Sequence, residues 1–201
     1  VAGTMQLWLR SMPIKIASDG TVWLSSHSPG GVDIWGAQAT AENTPTPISD
    51  GIGGMDFESD NNAHMDFNSA ITISEQEAFM CFFVITLESV TSEGLLGQST
   101  AAFIEITNNK KIKFKSTGTG GANVTAETTG TPFATGSKFV LGVKRDSGST
   151  GNVHMYKNGT LLSQASQQAS PGSIAIDTLG TKSNSNFFDG IMHEVIIYDT
   201  A

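Results

Sequence analysis

Short stretches in which apolar and polar residues alternate recur along most of this chain. The segment Val153-His154-Met155-Tyr156-Lys157 is a clear example, and residues 111–116 repeat the pattern. Successive side chains of a β-strand point to opposite faces, so this alternation predicts half-buried strands. Only residues 161–170 have a composition that favours a helix. Separators rich in Gly, Asn, Asp, Ser and Pro delimit twelve predicted strands, at 5–10, 54–57, 63–67, 77–88, 102–107, 111–116, 123–128, 138–145, 153–157, 160–164, 173–177 and 190–199.

The turn between two of these strands is Asn158-Gly159. This dipeptide supplies the two positive φ angles of a type I′ turn and predicts a two-residue hairpin. The pair Asn108-Asn109 indicates a second hairpin. A dozen short strands without intervening helices predict an all-β fold, either a two-layer antiparallel β-sandwich or a barrel. Because sandwiches of about 200 residues often form one unit, residues 1–201 are predicted to be a single domain.

Charge and composition narrow the possible functions. The chain has 201 residues, with 11 Lys and Arg against 19 Asp and Glu, and its formal net charge is −8. A polyanion is repelled by such a charge, so no nucleic-acid partner is expected. No run approaches the ~18 apolar residues that a membrane helix needs, so membrane insertion is not expected either. Cys81 is the single cysteine and lies in an apolar segment, which predicts a buried thiol without a disulfide.

Oxygen-bearing side chains are concentrated at Asp60, Asn61 and Asn62. They do not complete an EF-hand loop, because the chain lacks the Gly and the Glu that such a loop requires. Calcium needs only several hard oxygen ligands, so a rim site formed by Asp60 and a distant carboxylate such as Asp189 is predicted as one possibility. The alternative is that these residues only form turns. No other cofactor is predicted.

Four segments, taken in order, point to a known family. They are Leu7-Trp8-Leu9 with Asp19-Gly20-Thr21-Val22-Trp23, Gly53-Gly54-Met55-Asp56-Phe57 before Asp60-Asn61-Asn62, Met155-Tyr156-Lys157-Asn158-Gly159, and Phe188-Asp189-Gly190 with the apolar run that follows. In this order they resemble the bacterial and phage type of laminin-G-like jelly-roll module in the concanavalin A-like lectin/glucanase superfamily. The resemblance spans residues 7–199 and implies a two-layer antiparallel jelly roll.

The superfamily also contains glycoside hydrolases, whose active strand reads Glu-x-Asp-x-x-Glu and supplies both carboxylates of a double displacement. The matching positions here are Glu58, Asp60 and Ala63. Since the second Glu is missing, the acid/base partner is missing too. The chain is therefore predicted to be non-catalytic, and a hydrolase or polysaccharide lyase on the same fold is the least favoured alternative.

The favoured hypothesis is a structural protein displayed on a virion, such as a capsid-decoration or tail-associated protein of a tailed phage. Similar modules occur in that setting, and the partner would be a capsid or another protein lattice, with homo-oligomerisation left open. Docking of this kind requires an apolar patch with few charges at its centre. Phe187 and Phe188 are the predicted docking residues, against the simpler interpretation that the pair packs in the core.

The main alternative is an extracellular, lectin-like adhesion module that binds cell-surface glycans. Sugar rings stack on exposed aromatic side chains, and amide and carboxylate groups bind the hydroxyls. Trp23 and Trp35 lie in or beside loop-like segments and are predicted to contact the ligand together with Asn61 and Asn62. Trp8, within Leu-Trp-Leu, is instead predicted to pack in the core.

Overall fold

Two antiparallel β-sheets pack face to face around one hydrophobic core in the computed structural model of the chain. The structure describes residues 4–10, 22–24, 35–48, 53–98, 102–117, 124–163 and 171–200. The predicted all-β, two-layer antiparallel sandwich is confirmed. The single-domain organisation over residues 1–201 stays a prediction.

Sixteen strands are present within the described residues. In chain order they are β1 (Thr4–Arg10), β2 (Val22–Leu24), β3 (Trp35–Ala37), β4 (Thr46–Ile48), β5 (Gly54–Phe57), β6 (Met65–Ile73), β7 (Ala78–Leu87), β8 (Glu93–Gly97), β9 (Phe103–Ile106), β10 (Ile112–Ser116), β11 (Val124–Glu127), β12 (Lys138–Arg145), β13 (Val153–Lys157), β14 (Thr160–Leu161), β15 (Ile174–Leu179) and β16 (Gly190–Thr200). In the same described part of the chain, two short 3-10 helices span Ala41–Asn43 and Ser59–Asn61.

Sheet A has the strand order β14-β13-β12-β7-β16-β5-β4. Its longest strand, β16, pairs with β7 along one side and with both β5 and β1 along the other. The ladder between β16 and β7 shifts register between Met192 and Glu194, where His193 forms a bulge. Sheet B has the order β11-β10-β9-β8-β15-β6-β3-β2.

The core contains the buried half of each alternating strand. In β7, every second side chain from Phe79 to Leu87 is buried, and the predicted buried thiol of Cys81 is confirmed among them. The alternating side chains between them lie on the outer face of sheet A, where they are partly exposed. The sequence predicted this strand and its buried thiol, and the structure decides which of its apolar residues face outward.

The hairpins are confirmed. Asn158 and Gly159 have φ angles of 50° and 78°, as a type I′ turn requires, and they join β13 to β14. The ladder between β9 and β10 confirms the second hairpin.

Four strands of the structure were not predicted. β2, β3 and β4 lie in segments of loop-like composition. β8 was not predicted because all five of its residues are buried, so no alternation marks it. The helix-like segment 161–170 begins with the end of β14, and residues 164–170 lie outside the described residues. Within the described part of the chain, no helix has the length and apolarity that are needed to cross a bilayer.

Candidate functional site

The aromatic residues predicted to contact a glycan are Trp23 and Trp35. They lie in β2 and β3, a pair of strands at one edge of sheet B. Trp23 is in register with Gly36, and Trp35 is in register with Leu24. Their side chains lie outside what the structure describes. Their contact with a ligand therefore stays a prediction.

The predicted docking pair, Phe187 and Phe188, is split between two environments. Phe188 is fully buried and packs edge-on against Phe57, with ring centroids 5.9 Å apart. The prediction that Phe188 docks a partner is therefore wrong, because neighbouring residues in extended backbone face opposite sides and this one faces the core. Phe187 is partly exposed, and its ring lies 5.6 Å from the ring of His64.

The turn after β5 carries three residues that were predicted to bind glycan or calcium. They are Asp60, Asn61 and Asn62, and all three are exposed. The backbone N–H of Asn62 donates to Ser59, and Asn62 takes a left-handed conformation with φ 53°. This arrangement matches the turn-forming alternative. Binding of glycan or calcium by these residues stays a prediction.

Acidic side chains meet beside that turn. Carboxylate oxygens of Asp56, Glu58 and Glu88 lie within 4.8 Å of one another, and Asp60 does not belong to this group. Asp189, the other predicted calcium ligand, is adjacent: its Oδ1 accepts a hydrogen bond from Ser59 N at 3.4 Å. Oδ1 of Asp56 is buried and has no hydrogen-bond partner among the described residues. The sequence pattern missed this group because β5 and the end of β7 meet only through β16.

The electrostatics of this acidic group follow from burial and mutual repulsion. Burial raises the pKa of Asp56 to about 6, and the charges of Glu88, Glu58 and Asp189 add to the increase. Burial raises the pKa of Glu88 as well. A proton or a divalent cation would relieve the repulsion, and calcium binding stays a prediction.

We expect Asp56→Asn to stabilise the protein by about 1 kcal/mol at pH 7.5, after allowance for solvent screening. The pKa of Asp56 is about 6 in the folded state against 3.8 in the unfolded reference. A carboxyl group whose pKa is raised by folding stabilises the folded protein at pH values below its unfolded pKa. This stabilisation is lost as the pH rises through about 6, the folded pKa of Asp56. The gain should therefore nearly vanish at pH 4. Urea unfolding at both pH values measures it, with exposed Asp60→Asn as the control. An equal gain at both pH values would contradict the prediction.

The outer face of sheet A carries an aromatic and aliphatic row that crosses six strands. Cross-strand partners join Leu161, Tyr156, Gly142, Phe82, Ile196 and Trp8 in one line. Directly paired residues in antiparallel strands face the same side of the sheet. Tyr156, Phe82 and Trp8 are partly exposed, and Leu161 is 56% exposed. We call these six residues the aromatic row.

Trp8 belongs to this row, contrary to the prediction that it packs in the core. Leu7 and Leu9 are fully buried, whereas Trp8 between them points to the outer face and remains partly exposed. Its indole N–H donates to Glu194 Oε1 at 2.6 Å, which fixes the orientation of the ring. Strand alternation in Leu-Trp-Leu contains this information, because a residue between two core residues faces away from the core.

A hollow of about 230 Å³ opens in the middle of the row. It exists because Gly142 has no side chain: a Cβ there would lie 3.5–3.6 Å from atoms of Phe82 and Tyr156. The surrounding side chains are almost wholly apolar and include Met80 and Val140, the latter 39% exposed. The result is an aromatic surface with a shallow depression between two rings.

Lys144 lines one side of the hollow and belongs to a small polar cluster. Lys144 Nζ forms an ion pair with Asp146 Oδ1 at 2.7 Å, and Nε2 of His154 lies 2.7 Å from Asp146 Oδ2. The hydrogen bond from Lys144 is the main reason why the pKa of Asp146 is lowered. These groups combine donors and acceptors at the rim of an apolar surface, an arrangement typical of small-molecule sites.

Sequence reasoning missed Phe82 and Tyr156 because it searched loops for exposed aromatics. The available signal was a large aromatic at a position of a strand pattern that faces solvent. Tyr156 lies between Met155 and Lys157 in the clearest alternating segment, and Phe82 lies between two core residues of β7.

Comparison with known proteins supplies a family. The model of a family described as "Concanavalin A-like lectin/glucanases superfamily" matches residues 59–201. No curated protein sequence matches the chain at a significant level.

Several solved structures are similar in fold, all at low identity. The carbohydrate-binding module CBM40 of the Ruminococcus gnavus IT-sialidase, bound to α2,3-sialyllactose, is 15% identical over 70% of this chain and 93% of its own, with a TM-score of 0.46. Domains LG4-5 of the mouse laminin α1 chain are 16% identical over 77% of this chain and 41% of theirs, with a TM-score of 0.44. Domain 4 of the Geobacillus stearothermophilus arabinanase AbnA, in complex with arabinotriose, is 18% identical over 99% and 82%, with a TM-score of 0.41.

Proposed function

Because this chain belongs to the concanavalin A-like lectin/glucanase superfamily, we propose that it is a non-catalytic, glycan-binding module that acts at a surface. The observation that carries the proposal is the aromatic row on sheet A. There the partly exposed rings of Tyr156, Phe82 and Trp8 lie in one line with Gly142, at which the hollow opens. Sugar rings present apolar C–H faces that pack on such rings.

The spacing of the rings favours an extended ligand. Tyr156 and Phe82 lie two strands apart, and so do Phe82 and Trp8. Tyr156 and Phe82 line the same hollow. Neighbouring strands are about 4.8 Å apart, so Trp8 on β1 lies roughly 10 Å from Phe82 on β7. A sugar ring held in the hollow does not reach Trp8. The proposed ligand is therefore a linear glycan chain that lies across the strands.

The rim groups would supply specificity. Lys144 lines the hollow, where sugar hydroxyls would approach it, and its ion pair with Asp146 holds its side chain in place. The net charge of −8 disfavours strongly anionic polysaccharides. A neutral glycan is thus the proposed ligand class.

The surface on which the module acts is proposed to be a virion, with the exterior of a cell as the alternative. Support for the virion comes from the resemblance of the sequence segments to phage modules. A second candidate function, docking onto a capsid or other protein lattice, is favoured by the same face, because the aromatic row contains no charged residue. In that case the outer face of sheet A replaces Phe188 as the docking patch.

We expect Tyr156→Ala to weaken glycan binding roughly tenfold or more, since loss of an aromatic anchor removes stacking at the centre of the site. Tyr156→Phe is the matched control, because it keeps the ring and should bind within about twofold of the unmodified protein. A glycan array, followed by affinity electrophoresis in neutral polysaccharides, measures the effect.

Chromatography with light scattering, with calcium and with a chelator, distinguishes the two candidate functions. A monomer that binds a neutral glycan through Tyr156 supports the lectin-like module. An oligomer that binds no glycan would reject it and favour the structural protein. Equal glycan binding by the unmodified protein and Tyr156→Ala would reject the aromatic row as the glycan site. Turnover of a β-glucan by the purified protein would overturn the non-catalytic assignment.

A further inference from the structure

A second cleft opens at the outer surface of sheet B, on the opposite side of the sandwich from the aromatic row. Its volume is about 260 Å³. Polar side chains dominate its lining, which includes Asp66, Phe67, Gln98, Asp177, Ser183 and Asn184. None of these residues was singled out by the sequence patterns, and the proposed function does not use them.

An irregular ladder directs Asp177 into this cleft. β15 pairs with β6 through Ile176 and Ile71, and then through Thr178 and Asp66. Between these two pairs, Asp177 alone stands opposite the four residues 67–70 of β6. Bulges of this kind turn a side chain away from the regular direction of the strand and are common next to functional sites.

The carboxylate of Asp177 has an unused acceptor. Its Oδ1 is buried and has no hydrogen-bond partner among the described residues. Burial raises the pKa of Asp177, a hydrogen bond from Gln98 opposes this, and the charge of Asp66 adds to the increase. An ionised carboxylate accepts about four hydrogen bonds, so Asp177 keeps acceptor capacity at the wall of the cleft.

The opposite wall of the cleft is a loop that is held in one conformation. Ser183, Asn184 and Asn186 all have left-handed backbone, with φ between 52° and 56°. The N–H of Gly94 donates to the carbonyl of Asn186 at 2.7 Å. Lys182 Nζ donates to the buried Glu105 at 2.5 Å. Ser183 and Asn184, which line the cleft from this loop, are thus carried by a rigid segment, which reduces the entropy lost on binding.

We propose that this cleft binds a single neutral sugar residue, whose hydroxyl groups donate hydrogen bonds to Asp177 and Asp66. The volume is below the range of about 300–1,000 Å³ that is typical of drug-sized ligands, so one ring fits better than a chain. Two carboxylates repel acidic sugars, whereas sugar hydroxyls donate hydrogen bonds to carboxylate oxygens. Phe67 provides an apolar contact at one side. This proposal takes its ligand class, a neutral glycan, from the proposed function. It does not depend on the aromatic row, because the two sites lie on different sheets.

Titration of the isotope-labelled protein with methyl β-glycosides of glucose, galactose and mannose tests the proposal by NMR. We expect at least one glycoside to bind with a Kd on the order of 1 mM and to shift amide signals around Asp177 and Asn184. Asp177→Asn should weaken this binding about tenfold, because a neutral acceptor replaces a charged one at constant shape. Asn184→Ala, in an exposed loop position, should weaken it by a smaller factor.

Two control variants establish whether the sugar binds in this cleft. Glu127→Gln makes the same change of charge four strands away from β15 in sheet B and should bind the glycoside normally. Tyr156→Ala should also bind it normally, so failure of the glycan site on sheet A would leave this test unaffected. The proposal is overturned if none of the glycosides shifts the cleft signals, if Asp177→Asn binds equally well, or if chelation of calcium abolishes binding, which would indicate a cation site.

Discussion

Arg145→Met is expected to lower the free energy of unfolding by about 3–5 kcal/mol, because it removes three hydrogen bonds from a buried guanidinium to backbone carbonyls. The Arg145 side chain is fully buried although it is charged. Its Nε donates to the carbonyl of Glu77 at 2.9 Å, and a terminal nitrogen donates to the carbonyl of Ser74 at 3.1 Å. The other terminal nitrogen donates to the carbonyl of Gly172.

The effect is large because this one side chain ties both sheets together. Ser74 and Glu77 belong to the turn from β6 in sheet B to β7 in sheet A, and Gly172 precedes β15 in sheet B. The guanidinium also lies 5.5 Å from the centre of the Phe79 ring. Burial lowers the pKa of Arg145 to about 10, so the group stays charged at neutral pH. Methionine restores much of the volume but none of the three hydrogen bonds.

Urea unfolding followed by circular dichroism measures this change. Lys144→Met is the matched control, since it removes a cation from the neighbouring position, where the side chain is 39% exposed and pairs with Asp146. A surface pair of this kind contributes about 1 kcal/mol or less. If Arg145→Met and Lys144→Met destabilise the protein equally, the carbonyl-binding role of Arg145 is wrong.

Gly94→Ala is expected to cost about 3 kcal/mol, at the upper end for overpacking, and to remove sugar binding in the cleft of sheet B. A Cβ at this position would lie 2.5 Å from the backbone nitrogen of Lys182 and 2.6 Å from the carbonyl oxygen of Asn186. Both contacts are with backbone, so no side-chain rotation relieves them. The loop that carries Ser183 and Asn184 would have to move away from β8.

Gly142→Ala is the matched control for this variant. Both glycines lie in strands, and neither has a positive φ among the described residues. The new methyl group at position 142 meets only side-chain atoms, at 3.5–3.6 Å, which is ordinary contact. We expect its effect on stability to stay within about 0.5 kcal/mol. Unchanged cleft signals in Gly94→Ala would show that the loop does not depend on this glycine.

The sequence predicted most of the strands that alternate. The boundaries of β5, β12 and β13 agree with the structure at both ends, and the Asn158-Gly159 hairpin forms as expected. Such features depend on local geometry, because the two-residue repeat of a strand and the φ preferences of a turn need no distant partner. β8 shows the limit: the loop after β15 covers its outer side, so its sequence lacks alternation.

The candidate sites were less accessible to sequence reasoning. Phe187 and Phe188 looked equivalent in the sequence, yet only the packing against Phe57 shows which of them belongs to the core. Asp66 and Asp177 line one cleft although 110 residues separate them in the chain. No periodic pattern links them, because their approach results from the pairing of β6 with β15 and from the bulge within that pairing.

By itself, the sequence determined the all-β class, the alternating faces of the strands, the tight turns and the net negative charge. These properties arise from each residue and its nearest neighbours. The tertiary structure alone decided which outward row of side chains spans six strands without interruption, which carboxylates meet across the sheets, and which strand a loop covers. These outcomes depend on the order and register of strands that are distant in sequence, and long-range packing sets that order.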